Sequence, residues 1–269
     1  MNMKRTSILA ASLMCSVMLS AQTKEAAVLF SGGSSLDDSY LLTENVSVVF
    51  DSDGKGTVYK GETSTELTFD GTIPVTVEFK DAFKLKANQD PQNESNYYST
   101  FYTSEGAYKV PSEAKAYVGE VSGDVLYLND VGSIIHENEP VILKATGNSI
   151  TLMPSCNTGA ASIENVLKGT DEAIDALGAN DYALSLGQNG VGFYLWNGKS
   201  IGANKAYLTL SGSGAKAFTF MFDDGTSTAI EQPTFNGLPS DDAYNLNGMR
   251  VNGTYKGIVI KNGKKIYQK

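Results

Sequence analysis

The sequence predicts an all-β protein. Short runs of β-branched and aromatic residues recur from one end to the other, many of them alternating apolar and polar every second residue. Gly is abundant at 27 residues, and Asn-Gly, Gly-Asn and Ser-Gly pairs fall between the runs. With 14 Tyr and 11 Phe but only 7 Pro, the composition suits many strands joined by tight turns. The expected architecture is a small N-terminal β-sandwich-like segment, a central β-rich domain and a short C-terminal β-meander.

Residues 1–21 read as an export signal. Lys4 and Arg5 make a positive start, residues 8–18 a short apolar core, and Ser20-Ala21 before Gln22 a cleavage site. The apolar run is shorter than the ~20 residues a membrane helix needs, so no transmembrane segment is expected once the signal is removed. Cys15 would be the acylated residue of a lipoprotein, but Met14 stands where a small residue belongs. Secretion or display on the outer cell surface is the expectation. Cleavage leaves Cys156 as the single thiol, which excludes an internal disulfide framework and suits a small buried core residue.

Residues 22–90 are expected to form the N-terminal β domain. An apolar run at 26–30 opens it, and runs at 46–50 and 57–59 flank Asp51-Ser52-Asp53-Gly54-Lys55-Gly56 as a hairpin. A calcium loop of the EF-hand kind needs Gly at its sixth position, whereas Gly54 stands fourth, so turn chemistry explains the acids. Residues 67–69 and 75–80 continue the two-residue alternation. Residues 87–95 have no apolar period and are expected as a linker.

Residues 96–222 form the expected central module. Runs at 97–102, 115–118 and 124–128 come first, the last two joined at Ser122-Gly123. Runs at 140–145 and 149–153 are joined at Gly147-Asn148, and those at 182–186 and 192–196 around Gln188-Asn189-Gly190. Lys205-Ala206-Tyr207-Leu208 runs through Ser211-Gly212 into 216–222 and matches Lys115-Ala116-Tyr117 with Ser122-Gly123, as pseudo-repeated hairpins would. The one helix candidate is 171–177, with Thr170 as N-cap and Gly178 beyond it. Residues 223–240 form a turn-rich linker. In the tail, 241–269, Asn-Gly pairs at 247–248, 252–253 and 262–263 separate short apolar segments.

The net charge of −9 excludes the basic face of a nucleic-acid binder. The tail departs from that balance, with six Lys/Arg against two Asp, as a separate module or a Lys-guarded edge sheet would. One His (His136) and one mature Cys cannot furnish a zinc site, and no Gly-x-Ser-x-Gly elbow occurs. Gly212-Ser213-Gly214-Ala215-Lys216-Ala217 fits a dinucleotide pattern but runs into a strand, where a helix N-terminus is required. No catalytic residue, metal or cofactor is expected. Aromatic rings are the remaining resource, because a ring offers a flat apolar face with a polar tip. Trp196, Tyr194, Tyr98 and Tyr102 are the candidates for stacking on a ligand.

One further feature is the order of motifs. Ser99-Thr100-Phe101-Tyr102, Lys115-Ala116-Tyr117, Pro140-Val141-Ile142-Leu143-Lys144-Ala145, Asn165-Val166-Leu167-Lys168-Gly169-Thr170, Gly192-Phe193-Tyr194 and Asn204-Lys205-Ala206-Tyr207-Leu208 follow one another. The series resembles a β-rich module near the C-termini of secreted and surface proteins of Bacteroidota, many described only as hypothetical proteins or candidate adhesins. The tail, from Ala243-Tyr244-Asn245-Leu246-Asn247-Gly248 to Lys264-Lys265-Ile266, resembles the C-terminal sorting domain of type IX secretion cargo. The resemblance implies a non-catalytic binding or adhesion protein, whose partners would be a glycan or a cell-surface protein, and secretion machinery through the tail. A carbohydrate-active enzyme using carboxylates that no motif reveals, or a structural subunit of a surface assembly, are the alternatives.

Overall fold

The computed structural model describes residues 22–32, 36–50, 56–60, 62–67, 75–157, 159, 164–187, 190–211 and 215–223, with strand residues 243–245, 250–251, 257–261 and 264–268. The export signal with Cys15, the 51–55 turn, the linker from residue 224 and the Asn-Gly turns of the tail lie outside the described residues. The all-β class holds, the single non-strand element among the described residues being a 3-10 turn at Leu42–Glu44. The chain divides into two compact units between Ile230 and Glu231.

In the first unit β1 (Gln22–Gly32) and β2 (Leu36–Leu41) make an antiparallel hairpin, and β3 (Val46–Phe50), β4 (Gly56–Lys60) and β5 (Thr63–Leu67) a three-stranded sheet. β6 (Thr76–Lys86) then returns beside β1, from Gln22↔Leu85 to Ser31↔Thr76. Val28, Phe30 and Leu36 from one sheet and Val58 from the other bury one another, with Val46 and Val48 against them. Strand alternation turns these residues to a common side and leaves Ser47 and Val49 in solvent.

The expected linker at 87–95 is instead β7 (Asn88–Asp90), a turn, and the start of β8 (Asn93–Phe101), paired antiparallel. Composition misled because Asp90 is buried and makes the turn itself, accepting from the Gln92 amide at 3.0 Å. Nor do 22–90 and 96–222 stand apart. After β9 (Ala107–Lys109), β10 (Ala114–Ser122), β11 (Val125–Asp130), β12 (Ile134–Ile135) and β13 (Val141–Ala145), β14 (Ser149–Ser155) pairs with β6. The resulting six-stranded sheet runs β12-β9-β14-β6-β1-β2.

β15 (Leu167–Thr170), β16 (Asp181–Gly187), β17 (Gly190–Leu195), β18 (Lys205–Thr209) and β19 (Ala217–Phe222) complete a ten-stranded sheet in the order β15-β18-β16-β17-β19-β11-β10-β13-β8-β7. One face of β8, β10 and β13 supplies Phe101, Ala116, Val118, Val141 and Leu143, which bury Phe83, Leu85, Ile150 and Leu152 of the six-stranded sheet. The opposite face supplies Tyr98, Tyr117 and Ile142, which bury Phe193, Phe218, Phe220 and Phe222 from the sheet's other half. Val141-Ile142-Leu143 is therefore a continuous apolar run because β13 is covered on both sides. Phe83, Phe101 and Tyr108 meet edge to face, with ring centroids 5.0, 5.1 and 5.6 Å apart. Each such contact adds about 0.5–1.5 kcal/mol to the area buried.

Two expected hairpins do not form. β13 takes β10 and β8 as neighbours and β14 takes β6 and β9, so Gly147-Asn148 connects different sheets. β18 pairs with β15 and β16, while β19 pairs with β17 and, in parallel, β11. The Lys-Ala-Tyr match is thus no repeated hairpin. The helix expected at 171–177 is replaced by bends and a bridge between Ile174 and Ile201. Thr170 spends its hydroxyl on the Glu172 carbonyl at 2.6 Å instead of capping a helix amide.

The second unit is a four-stranded antiparallel sheet of β20 (Ala243–Asn245), β21 (Arg250–Val251), β22 (Gly257–Lys261) and β23 (Lys264–Gln268). Its order, β21-β20-β22-β23, corrects the expected meander, because β22 pairs with β20 instead of with β21.

Candidate functional site

A cleft of about 390 Å³ opens along β15, lined by Tyr102, Asn138, Glu139, Pro140, Asn165, Leu167, Lys168, Gly169 and Tyr207. Among the described residues β15 pairs with β18 alone. Leu167 points into the core, so alternation sets Lys168 in solvent. Lys168 lies opposite Tyr207 of β18, and Tyr102 follows β8.

The far wall is the turn after β12. Asn138 adopts a left-handed backbone at φ 62°, which short amide side chains tolerate. The turn closes on itself, the Glu139 amide donating to the His136 carbonyl at 3.2 Å. The buried Glu139 carboxylate accepts from the His136 amide at 2.8 Å. The Tyr102 hydroxyl donates to Asn138 Oδ1 at 3.1 Å, tying β8 to that turn. Asn165 fixes the floor: its Nδ2 donates to the Pro140 carbonyl at 2.7 Å. Its Oδ1 accepts from the amides of Leu167 and Gly119 at 3.0 and 3.2 Å.

Both phenols are held in the neutral form. Burial first, then the Asp171 and Glu137 carboxylates, pushes Tyr102 up; burial and then Asp181 does the same for Tyr207. Asp171 is itself anchored, accepting from the Ser104 amide and hydroxyl at 3.1 and 2.7 Å and from Asn204 Nδ2 at 3.2 Å. The cleft therefore offers two half-buried aromatic rings with protonated hydroxyls, an exposed ammonium and a rigid amide-rich floor. That combination suits a neutral polyhydroxylated ligand.

Of the four expected stacking residues, only Tyr102 lies in the cleft. Tyr98 is fully buried, its ring 6.0 Å from Phe220 and 6.2 Å from Phe222. Trp196 is buried with Leu177, Ala183 and Ile201, its Nε1 donating to the Ser200 carbonyl at 3.0 Å, while Lys199 Nζ sits 4.3 Å from the ring. These two rings are core residues and present no face to a ligand. Tyr194 is half-buried on β17, where its hydroxyl donates to the Gly190 carbonyl at 2.7 Å. Sequence reasoning missed Tyr207, yet the alternation had marked it: Ala206 and Leu208 turn inward, so Tyr207 turns out.

Cys156 is half-buried beside Asp37, whose carboxylate accepts from its amide at 3.0 Å. Burial and that carboxylate push the thiol up, away from the reactive thiolate. No family model matches the chain, and comparison with curated proteins and with solved structures found no match.

Proposed function

We propose that this chain is an exported, non-catalytic binding protein of the cell surface or medium, and that it takes a glycan at the Tyr102–Tyr207 cleft. The pairing of those two tyrosines across Gly169 and Lys168 carries the reading. Rings stack on the apolar faces of sugars while their hydroxyls and the neighbouring amides exchange hydrogen bonds. The basic N-terminal segment with its apolar core supports export, and the order of motifs supports kinship with Bacteroidota surface modules. The Lys-rich tail fits a type IX sorting domain that engages secretion machinery.

A glycan array with the wild-type protein, Tyr102→Ala and Tyr207→Ala tests the site. Retention of a defined glycan class by the wild type and its loss in both variants, each assayed where circular dichroism shows it folded, is the expected result. Silence of the wild-type protein across the array would sink the glycan reading, and capture of a surface protein through the same two tyrosines would replace it. The intact mass of the exported form decides the sorting role, since a sorting tail is absent from the released chain.

A further inference from the structure

β6 changes partners along its length. β1 pairs with it from Thr76 to Leu85, but β14 reaches only residues 83–86 on the other side. Among the described residues, no strand pairs with 76–82 on the side away from β1. This open edge carries apolar side chains in solvent: Phe79 is 76% exposed and Val77 47%. Their cross-strand neighbours on β1 are Val28 and Phe30, both buried in the small core. The apolar face of the sheet thus continues past its cover onto an unpaired edge. Single exposed apolar residues are ordinary. Two of them, in register with a buried face and on an open edge, form a template for strand addition.

We propose that this edge pairs antiparallel with the same edge of a second copy of the chain, about a two-fold axis at Phe79. The occupant follows from Glu78-Phe79-Lys80, which is self-complementary in that register. Phe79 meets its own copy, and each Glu78 meets the other copy's Lys80. Within one chain Lys80 Nζ already lies 3.1 Å from Glu78 Oε2, so both sit on one face and the dimer makes a two-by-two patch of charges that alternate in sign. A one-residue slip would oppose Glu78 to Phe79, and a two-residue slip would oppose Glu78 to Glu78 or Lys80 to Lys80. The charges therefore select one register, and a two-fold contact of this kind closes as a dimer. Pairing ends at Asp81, where the backbone carbonyl accepts from the Tyr108 hydroxyl at 3.0 Å and the carboxylate meets Lys24 Nζ at 3.3 Å. None of these residues lines the Tyr102 cleft, so the dimer stands or falls independently of glycan binding.

Sedimentation velocity over a concentration series tests it on the purified protein. The wild type should show a monomer–dimer equilibrium. Phe79→Lys should weaken it by about tenfold or more, and Glu78→Lys should also weaken it, by opposing Lys80. The exchange Glu78→Lys with Lys80→Glu should recover the dimer, since the alternation returns with its signs reversed. Leu195→Lys, which removes another exposed apolar side chain from the ten-stranded sheet, should leave it unchanged. A wild type that stays monomeric throughout, a dimer indifferent to Phe79→Lys, or a charge exchange that fails to recover association overturns the proposal.

Discussion

The Tyr102 ring fills the space that a side chain at position 169 would need: a Cβ built on Gly169 falls 1.9 Å from Tyr102 Cδ2 and 2.0 Å from Cγ. Glycine is what lets this ring lie against β15 and frame the cleft. Gly169→Ala must displace Tyr102, at the roughly 1–3 kcal/mol of an overpacked contact. The expected outcome is a melting temperature lower by several degrees together with loss of glycan retention. Gly187→Ala is the control, because a Cβ there falls 2.1 Å from Tyr194 Cε1, away from the cleft. It should cost stability and spare binding. Equal binding by the Gly169→Ala protein would show that the ring's seat on β15 does not shape the site.

Trp196 gives the opposite lesson about aromatics. It is 2% exposed, its indole N–H bonded to the Ser200 carbonyl. Truncating such a buried ring costs about 3–5 kcal/mol. Trp196→Ala should therefore melt well below the wild type, and the wild-type indole emission should be blue-shifted and poorly quenched by iodide. Emission typical of exposed tryptophan would contradict the packing. Any binding lost by this variant must be read against its fraction folded.

Alternation along single strands was legible in the residues; partnership between strands was only partly so. β10–β11 and β16–β17 formed as read, because Ser122-Gly123 and Gln188-Asn189-Gly190 each join strands that face each other. Gly147-Asn148 gave the same signal and failed, because both edges of β13 are taken, by β10 and by β8, each more than twenty residues earlier in the chain. Burial on both faces of β8 likewise turned Tyr98 from a candidate platform into core. The cleft exists only through the long-range pairing of β15 with β18, which brings Tyr207 opposite Lys168. Nothing local to either strand announces it.

Asp37 joins β2 to β9 and β14. Its carboxylate accepts from the Ser155 hydroxyl at 2.5 Å and the Cys156 amide at 3.0 Å, and lies 3.3 Å from Lys109 Nζ. Burial alone would raise this carboxyl; the Ser155, Cys156 and Lys109 contacts outweigh it and hold it below its ordinary value of 3.8. A carboxyl depressed by folding adds stability that is full above the unfolded value and fades as pH falls through the folded one. Asp37→Asn should cost about 1.5–3 kcal/mol near neutrality, the range for hydrogen bonds to a charged group. The gap between the two proteins in urea titrations should close below about pH 4. A constant gap across that range would assign the cost to packing, with charge playing no part.

Lys205 carries the opposite sign. It lies partly buried on β18 with Nζ 3.5 Å from the Thr100 carbonyl, and burial pushes its ammonium down from 10.5 to about 8. Between those values the unfolded chain binds a proton that the folded chain has released, so stability rises with pH across the window. Below about pH 8 both states are charged, and the folded state bears the full cost of the buried ammonium. Lys205→Met keeps the length of the side chain without the charge, and such replacements are often neutral or stabilising. The variant should match or exceed the wild type at pH 7 and lack the rise between about pH 8 and 10. The comparison stops near pH 10, where Tyr40, Tyr102, Tyr108 and Tyr207, all pushed up chiefly by burial, begin to lower stability in both proteins. Denaturant midpoints that climb equally in both proteins would place the titrating group elsewhere.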